Sequence, residues 1–119
     1  DMGDFVGGLL KYLKRHPVER LTIAGGFAKM AKLGQGLMDL HSGRGTVDMA
    51  GLAALLPEEL REEARRANTA NAVLQLGGAP LADAVARLAR DAAQAMVGDG
   101  AHVDVLVSDR AGAIVGASG

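Results

Sequence analysis

The chain contains no cysteine and no tryptophan, which removes disulfides and thiolate metal sites from consideration. Phe5, Phe27 and Tyr12 are its only aromatic residues, so a core must be assembled from Ala, Val, Leu, Ile and Met. It lacks a charge excess of either sign. A formal net charge of -1 gives no support to a nucleic-acid partner or to a polybasic membrane surface. No apolar run approaches the roughly 18 residues that a membrane helix needs, and no signal peptide precedes Asp1, which together predict a cytoplasmic protein with no membrane partner. His, Asp and Glu nowhere adopt metal-ligand spacing, so no metal site is predicted. With 119 residues the chain is long enough for one domain with a real core and too short to promise two.

What is present reads as alternating helices and strands. Phe5, Leu9, Leu10 and Leu13 recur at helical spacing, predicting an amphipathic helix over Asp4 to His16 with Asp4 as cap and Pro17 as stop. Glu19 to Ala24 changes to a β-rich run of strand length. Phe27, Met30, Leu33, Leu37 and Leu40 then step by three or four, predicting a helix over Phe27 to Leu40. Gly34 and Gly36 inside it each cost about 1 kcal/mol relative to Ala, which calls for close approach by another helix or a ligand.

HSGRGT, His41 to Thr46, is the most loop-like segment, and Thr46 or Asp48 can cap a short helix through Leu56. Pro57 reads as the first residue of a charged, solvated helix carrying Glu58, Arg61, Glu62, Arg65 and Arg66. Asn68 or Thr69 starts a helix ended by Gly77 and Gly78, and Pro80 opens another whose face is Leu81, Val85, Leu88, Ala92 and Met96. Val103, Val105 and Val107 alternate with polar residues as a strand, and the turn at Asp109 to Gly112 leads into a hairpin over Ala113 to Gly116. The fold class predicted is a layered α/β domain with a small mixed sheet flanked by helices, without internal repeats.

The most suggestive stretch is Leu21 to Asp48, where a strand runs into Gly25-Gly26, then a lysine-bearing helix, then the polar loop. Backbone N–H groups at that helix start have no intrahelical partners and sit at the positive end of its dipole, a place for a carboxylate or other anion. The dinucleotide pattern Gly-x-Gly-x-x-Gly is absent. Lys29 and Lys32 lie three apart on one face, which is either a solvated surface or a pair waiting for an anionic ligand. His41 and Ser42 can finish the helix and begin a turn, Arg44 between two glycines offers a planar fork to a carboxylate, and Asp48 can be a helix cap. His16 and His102 read as surface or strand histidines, and Asn68 as a cap. No catalytic residue stands out.

Several of these motifs carry a likeness. GGFAKMAKLGQG followed by DLHSGRGTVD, ANTA at Ala67 to Ala70, VLVSDRAGAIVG at Val105 to Gly116 and MGDFVGGLL at Met2 to Leu10 together resemble the C-terminal part of the cobalt-precorrin-5B C1-methyltransferases of anaerobic cobalamin biosynthesis. That family often has His where this chain has Gly26 and Gly where it has Ala28. The resemblance implies a single α/β domain over residues 1–119 that forms the C-terminal part of a longer methyltransferase, inactive alone, with the N-terminal portion of the same enzyme and the cobalt-precorrin tetrapyrrole as partners. It implies S-adenosylmethionine as methyl donor, with Gly25, Gly26 and Phe27 at the cofactor. Lys29, Lys32, His41, Ser42, Arg44 and Asp48 are then placed at the substrate. A non-catalytic corrinoid-binding or subunit-assembly domain, or an unrelated α/β domain with a purely structural glycine turn, are the alternatives, and a homo-oligomer stays open.

Overall fold

A computed structural model describes residues 2–36 and 47–119, with side chains from residue 8 onward. Helix α1 covers Met2–Arg15, strand β1 Arg20–Gly26, helix α2 Phe27–Gly34, helix α3 Met49–Ala53, helix α4 Glu58–Arg65 and helix α5 Ala70–Val97. A 3-10 turn at Gly98–Gly100 then leads to strands β2, His102–Ser108, and β3, Ile114–Ser118. The sheet has the order β1-β2-β3, with β1 and β2 parallel and β2 and β3 antiparallel. The mixed sheet expected from the hairpin is therefore observed.

Alternation along β2 decides which face is buried. Val103, Val105 and Val107 are fully buried and pair in register with Leu21, Ile23 and Gly25 of β1. Against this face lie α2 and α5, contributing Phe27, Met30, Leu33, Leu81 and Val85 to the core. The other face carries Arg20, Thr22, His102 and Asp104, where Arg20 and Asp104 form an ion pair at 3.2 Å. His102 is exposed on its strand, and His16 stacks on Tyr12 just beyond α1 with ring centroids 4.0 Å apart, so both are the surface histidines expected.

Four local expectations are corrected. Helix α1 begins at Met2, so Asp4 lies within its first turn instead of capping it. Helix α2 ends at Gly34, short of Leu40, because Gly36 takes φ +75 and its N–H returns to the Leu33 carbonyl, a left-handed stop that glycine adopts without a Cβ clash. Pro57 is the N-cap of α4 instead of its first helical residue. The buried stripe of α5 is Leu81, Ala82, Val85, Ala86, Ala89, Ala93 and Val97, whereas Leu88 is 38% exposed and Ala92 and Met96 are half-buried. The sheet and α2 approach α5 closely enough that glycine is required at two of the contacts. A Cβ on Gly116 would lie 2.7 Å from the Ala82 Cβ, and one on Gly34 would lie 2.8 Å from the Leu88 Cβ.

The double-glycine break holds as expected: Gly78 leaves helical conformation at φ 61 and ψ -152, dividing α5 into two segments with Pro80 near the start of the second. Thr69 caps the first segment, its side-chain oxygen accepting from the Ala72 N–H at 3.1 Å. Among the described residues no helix is long and apolar enough to cross a membrane.

Candidate functional site at the ends of the parallel strands

Parallel pairing brings Gly26, the last residue of β1, opposite Ser108, the last residue of β2. Crevices beyond the carboxyl ends of parallel strands are the usual ligand positions in α/β sheets. Here that position is a cleft of about 240 Å³, lined by Gly26, Phe27, Ala28 and Lys29 from the start of α2, Thr69, Ala70 and Asn71 from the start of α5, and Ser108, Asp109 and Arg110 from the β2–β3 turn.

Each wall follows from local chemistry. Phe27 is buried against the core and fixes the first turn of α2, which directs the next residues, exposed Ala28 and half-buried Lys29, toward the cleft. Gly26 is the N-cap of α2 without a side-chain cap, and the first turn contains no acidic residue. The amide groups there have no carboxylate of their own to satisfy them. At the facing wall α5 also begins without acidic residues in its first turn. The third wall is held by Asp109, whose Oδ1 accepts from the Ala111 and Ala113 N–H groups at 2.9 and 3.0 Å. This Asx turn sets the backbone on which Arg110 is carried, exposed at the rim.

Of the residues singled out from sequence, Gly26, Phe27 and Lys29 come together in this cleft. Gly25 is not on its lining. A Cβ at that position would lie 2.9 Å from Met30 Cε, so the residue makes room for core packing under α2. Lys32 is half-buried one turn further along α2 and is not among the residues lining the cleft. Asp48 caps α3, accepting from the Ala50 N–H at 3.1 Å. Its backbone is tied to Gln35 by two hydrogen bonds of 2.9 Å at the far end of α2, about 12 Å along an eight-residue helix. His41, Ser42 and Arg44 lie outside the described residues.

Sequence reading missed Asn71, Ser108, Asp109 and Arg110 as site residues. The signal available was positional: a polar Ser-Asp-Arg run directly after an apolar strand. Its meaning depends on β2 pairing parallel to β1, which neither strand declares alone. Among the described residues no group of three or more His, Cys, Asp or Glu could hold a metal ion.

Residues 39–119 match the family model described as CbiD, C-terminal domain. The chain belongs to this family. Most of the CbiD model's match lies in α3 to β3, so the cleft joins residues inside it to Gly26–Lys29 ahead of it. Relatives cover that earlier part too. A cobalt-precorrin-5B C(1)-methyltransferase of Bradyrhizobium sp. (strain BTAi1) is 57% identical over 98% of this chain, which matches 33% of that protein. Proteins of the same name from Paramagnetospirillum magneticum and Rhodospirillum rubrum are 54% and 52% identical, over 98% and 100% of this chain and 34% and 36% of their own lengths. The chain thus spans about a third of the curated relatives it matches. No solved structure matches it.

Proposed function

We propose that this CbiD domain is the C-terminal part of an S-adenosylmethionine-dependent methyltransferase that methylates C1 of cobalt-precorrin-5B to give cobalt-precorrin-6A. The observation carrying this reading is likeness to proteins of that name across 98–100% of the chain. The cleft supplies compatible chemistry. It offers the helix-start amides at Gly26 and Phe27, the Lys29 ammonium and the Arg110 guanidinium to an acidic group, and both the amino-acid end of the methyl donor and an acid-bearing tetrapyrrole provide one.

S-adenosylmethionine, when bound, supplies an electrophilic methyl group. The task left to this chain is to hold and orient, since in-line alignment of two reactants supplies much of the acceleration in a displacement that needs no strong acid or base. Gly26 and Phe27 provide a backbone cradle, with Gly25 beneath it making room for Met30, and Lys29 and Arg110 fix acidic groups. Lys32, His41, Ser42 and Arg44 serve as outer substrate contacts, and Asp48 orients the segment that joins α2 to α3. The remaining two thirds of the enzyme complete the site, so this chain alone is expected to show no turnover.

A chimera tests the reading. The C-terminal third of the Bradyrhizobium relative is replaced by this chain, and methyl transfer from S-adenosylmethionine to cobalt-precorrin-5B is followed by mass. Turnover within tenfold of the parent is expected. A folded but inactive chimera that still binds the tetrapyrrole would replace the enzymatic reading with a corrinoid-binding or assembly role.

A further inference from the structure

The cleft is not neutral toward the two ligands that the methyltransferase reading brings together, and their charges separate them. Lys29 and Arg110 reach it from different elements, α2 and the β2–β3 turn. Among the described residues neither takes part in an ion pair, whereas Arg20, Arg65, Arg66 and Arg90 all do. The single carboxylate on the cleft wall belongs to Asp109, and its Oδ1 is committed to two backbone amides of the turn. Two helices also start at this cleft with no acidic residue in their first turns. Two cations therefore face one carboxylate on the wall, and the cleft carries a net positive charge. A sulfonium ion brought here meets like charge from two elements, and the one carboxylate on the wall has an oxygen committed to the β2–β3 turn.

Size points the same way. A cleft of about 240 Å³ falls below the roughly 300–1,000 Å³ that enclose a drug-sized ligand, so it admits part of a molecule. Exposed Ala28 presents apolar surface between the charged groups, with the edges of buried Phe27 and Ala70 beside it. A short methylene chain ending in a carboxylate satisfies both features: its CH2 groups lie on the alanines and phenylalanine, and its oxygens meet Lys29, Arg110 and the α2 amides. Gly26 keeps the floor clear, since a Cβ there would meet no atom within 4 Å.

We infer that this cleft holds one carboxylate-bearing arm of a multiply acidic substrate, clamped between Lys29 and Arg110, and that the sulfonium-bearing methyl donor binds elsewhere. The inference rests on the methyltransferase reading for the identity of the two ligands.

The test titrates the 119-residue chain with uroporphyrin, a tetrapyrrole with eight carboxylates, followed by its fluorescence at low and moderate salt. Saturable binding that weakens with salt is expected, and the octamethyl ester should not bind. Lys29→Gln and Arg110→Gln should each weaken uroporphyrin about tenfold, in line with loss of one charge-assisted hydrogen bond, while Arg87→Gln changes nothing. S-adenosylmethionine at millimolar concentration should not displace it. Far-ultraviolet circular dichroism reports whether each variant is folded. Absence of uroporphyrin binding, folded variants with unchanged affinity, or displacement by S-adenosylmethionine would each overturn the inference. An inactive chimera with these binding results intact would overturn the enzymatic reading and leave the clamp standing.

Discussion

The two ends of α2 carry cavities of nearly equal size, about 240 Å³ at its start and about 230 Å³ at its end, yet they differ in almost every chemical respect. The cavity at the end is lined by Ala31, Gly34, Leu52, Leu55, Val85 and Leu88 with Gln35 and Asp48, and its two polar residues satisfy each other through a pair of 2.9 Å hydrogen bonds. At the start Asp109 and Thr69 are engaged by backbone amides, while the α2 amides have no side-chain cap and a lysine and an arginine take part in no ion pair among the described residues. Volume alone does not distinguish a packing defect from a site. Unsatisfied hydrogen-bonding capacity does, because a polar group that the protein leaves open is one that water or a ligand must complete.

Two glycines and one aspartate allow the contrast to be broken. The largest stability effect is expected at the closed end, from Gly34→Val. Its Cβ would sit 2.8 Å from the Leu88 Cβ and 3.0 Å from the Ala89 amide nitrogen, and the Ala89 backbone cannot step aside without moving α5. Overpacking of this kind costs about 2–3 kcal/mol, visible as a lower midpoint in urea unfolding. Stability equal to the parent chain would show that the α2–α5 seam is looser than its geometry. Asp48→Ala comes next, with a loss of about 1 kcal/mol from removing the α3 cap. Uroporphyrin affinity should not change with it. A drop in affinity beyond threefold in a folded Asp48→Ala protein would give this residue the substrate contact that the family likeness implies.

The contrast also separates what local sequence encodes from what distant contacts decide. Features encoded within a few residues are legible: the valine alternation of β2, the break at Gly78 beside Pro80, the cap at Thr69, and the passage from strand to helix at the double glycine, although Gly25 and Gly26 belong to β1 itself and form no separate turn. Features set by partners distant in sequence are not. On α5 the larger residues Leu88 and Met96 suggest a stripe, but the buried face runs through Leu81, Ala82, Val85 and Ala89 and is set by contact with the sheet, so close that a Cβ built on Gly116 would lie 2.7 Å from the Ala82 Cβ. Within the turn at Asp109 to Gly112 nothing local singles out Arg110, because its neighbourhood is created by β1 pairing with β2 across some 80 positions of sequence, as in Arg20 against His102. Lys29 lines the cleft and Lys32 does not, although the sequence places them on one helix face. Three-residue spacing puts two side chains on one face, but only the one in the first turn reaches a cleft at the helix start.

The smallest stability effect belongs to Gly26→Val, and it separates folding from binding most cleanly. Gly26 has φ -68 and ψ 159, an extended conformation open to any L-residue, and no atom lies within 4 Å of where its Cβ would be. Losing glycine as N-cap costs about 0.5–1 kcal/mol, while restricting the unfolded chain returns a similar 0.4–1 kcal/mol. Net stability should therefore stay within about 0.5 kcal/mol of the parent chain by urea unfolding. Binding should behave in the opposite way. An isopropyl group on the cleft floor occupies the space over the α2 amides, and uroporphyrin affinity should fall at least tenfold although no charge has been removed. Unchanged affinity in Gly26→Val would mean that the ligand does not reach the helix start, leaving Lys29 and Arg110 as cations at a rim instead of the walls of a binding cleft. The two helix ends would then differ in surface charge alone.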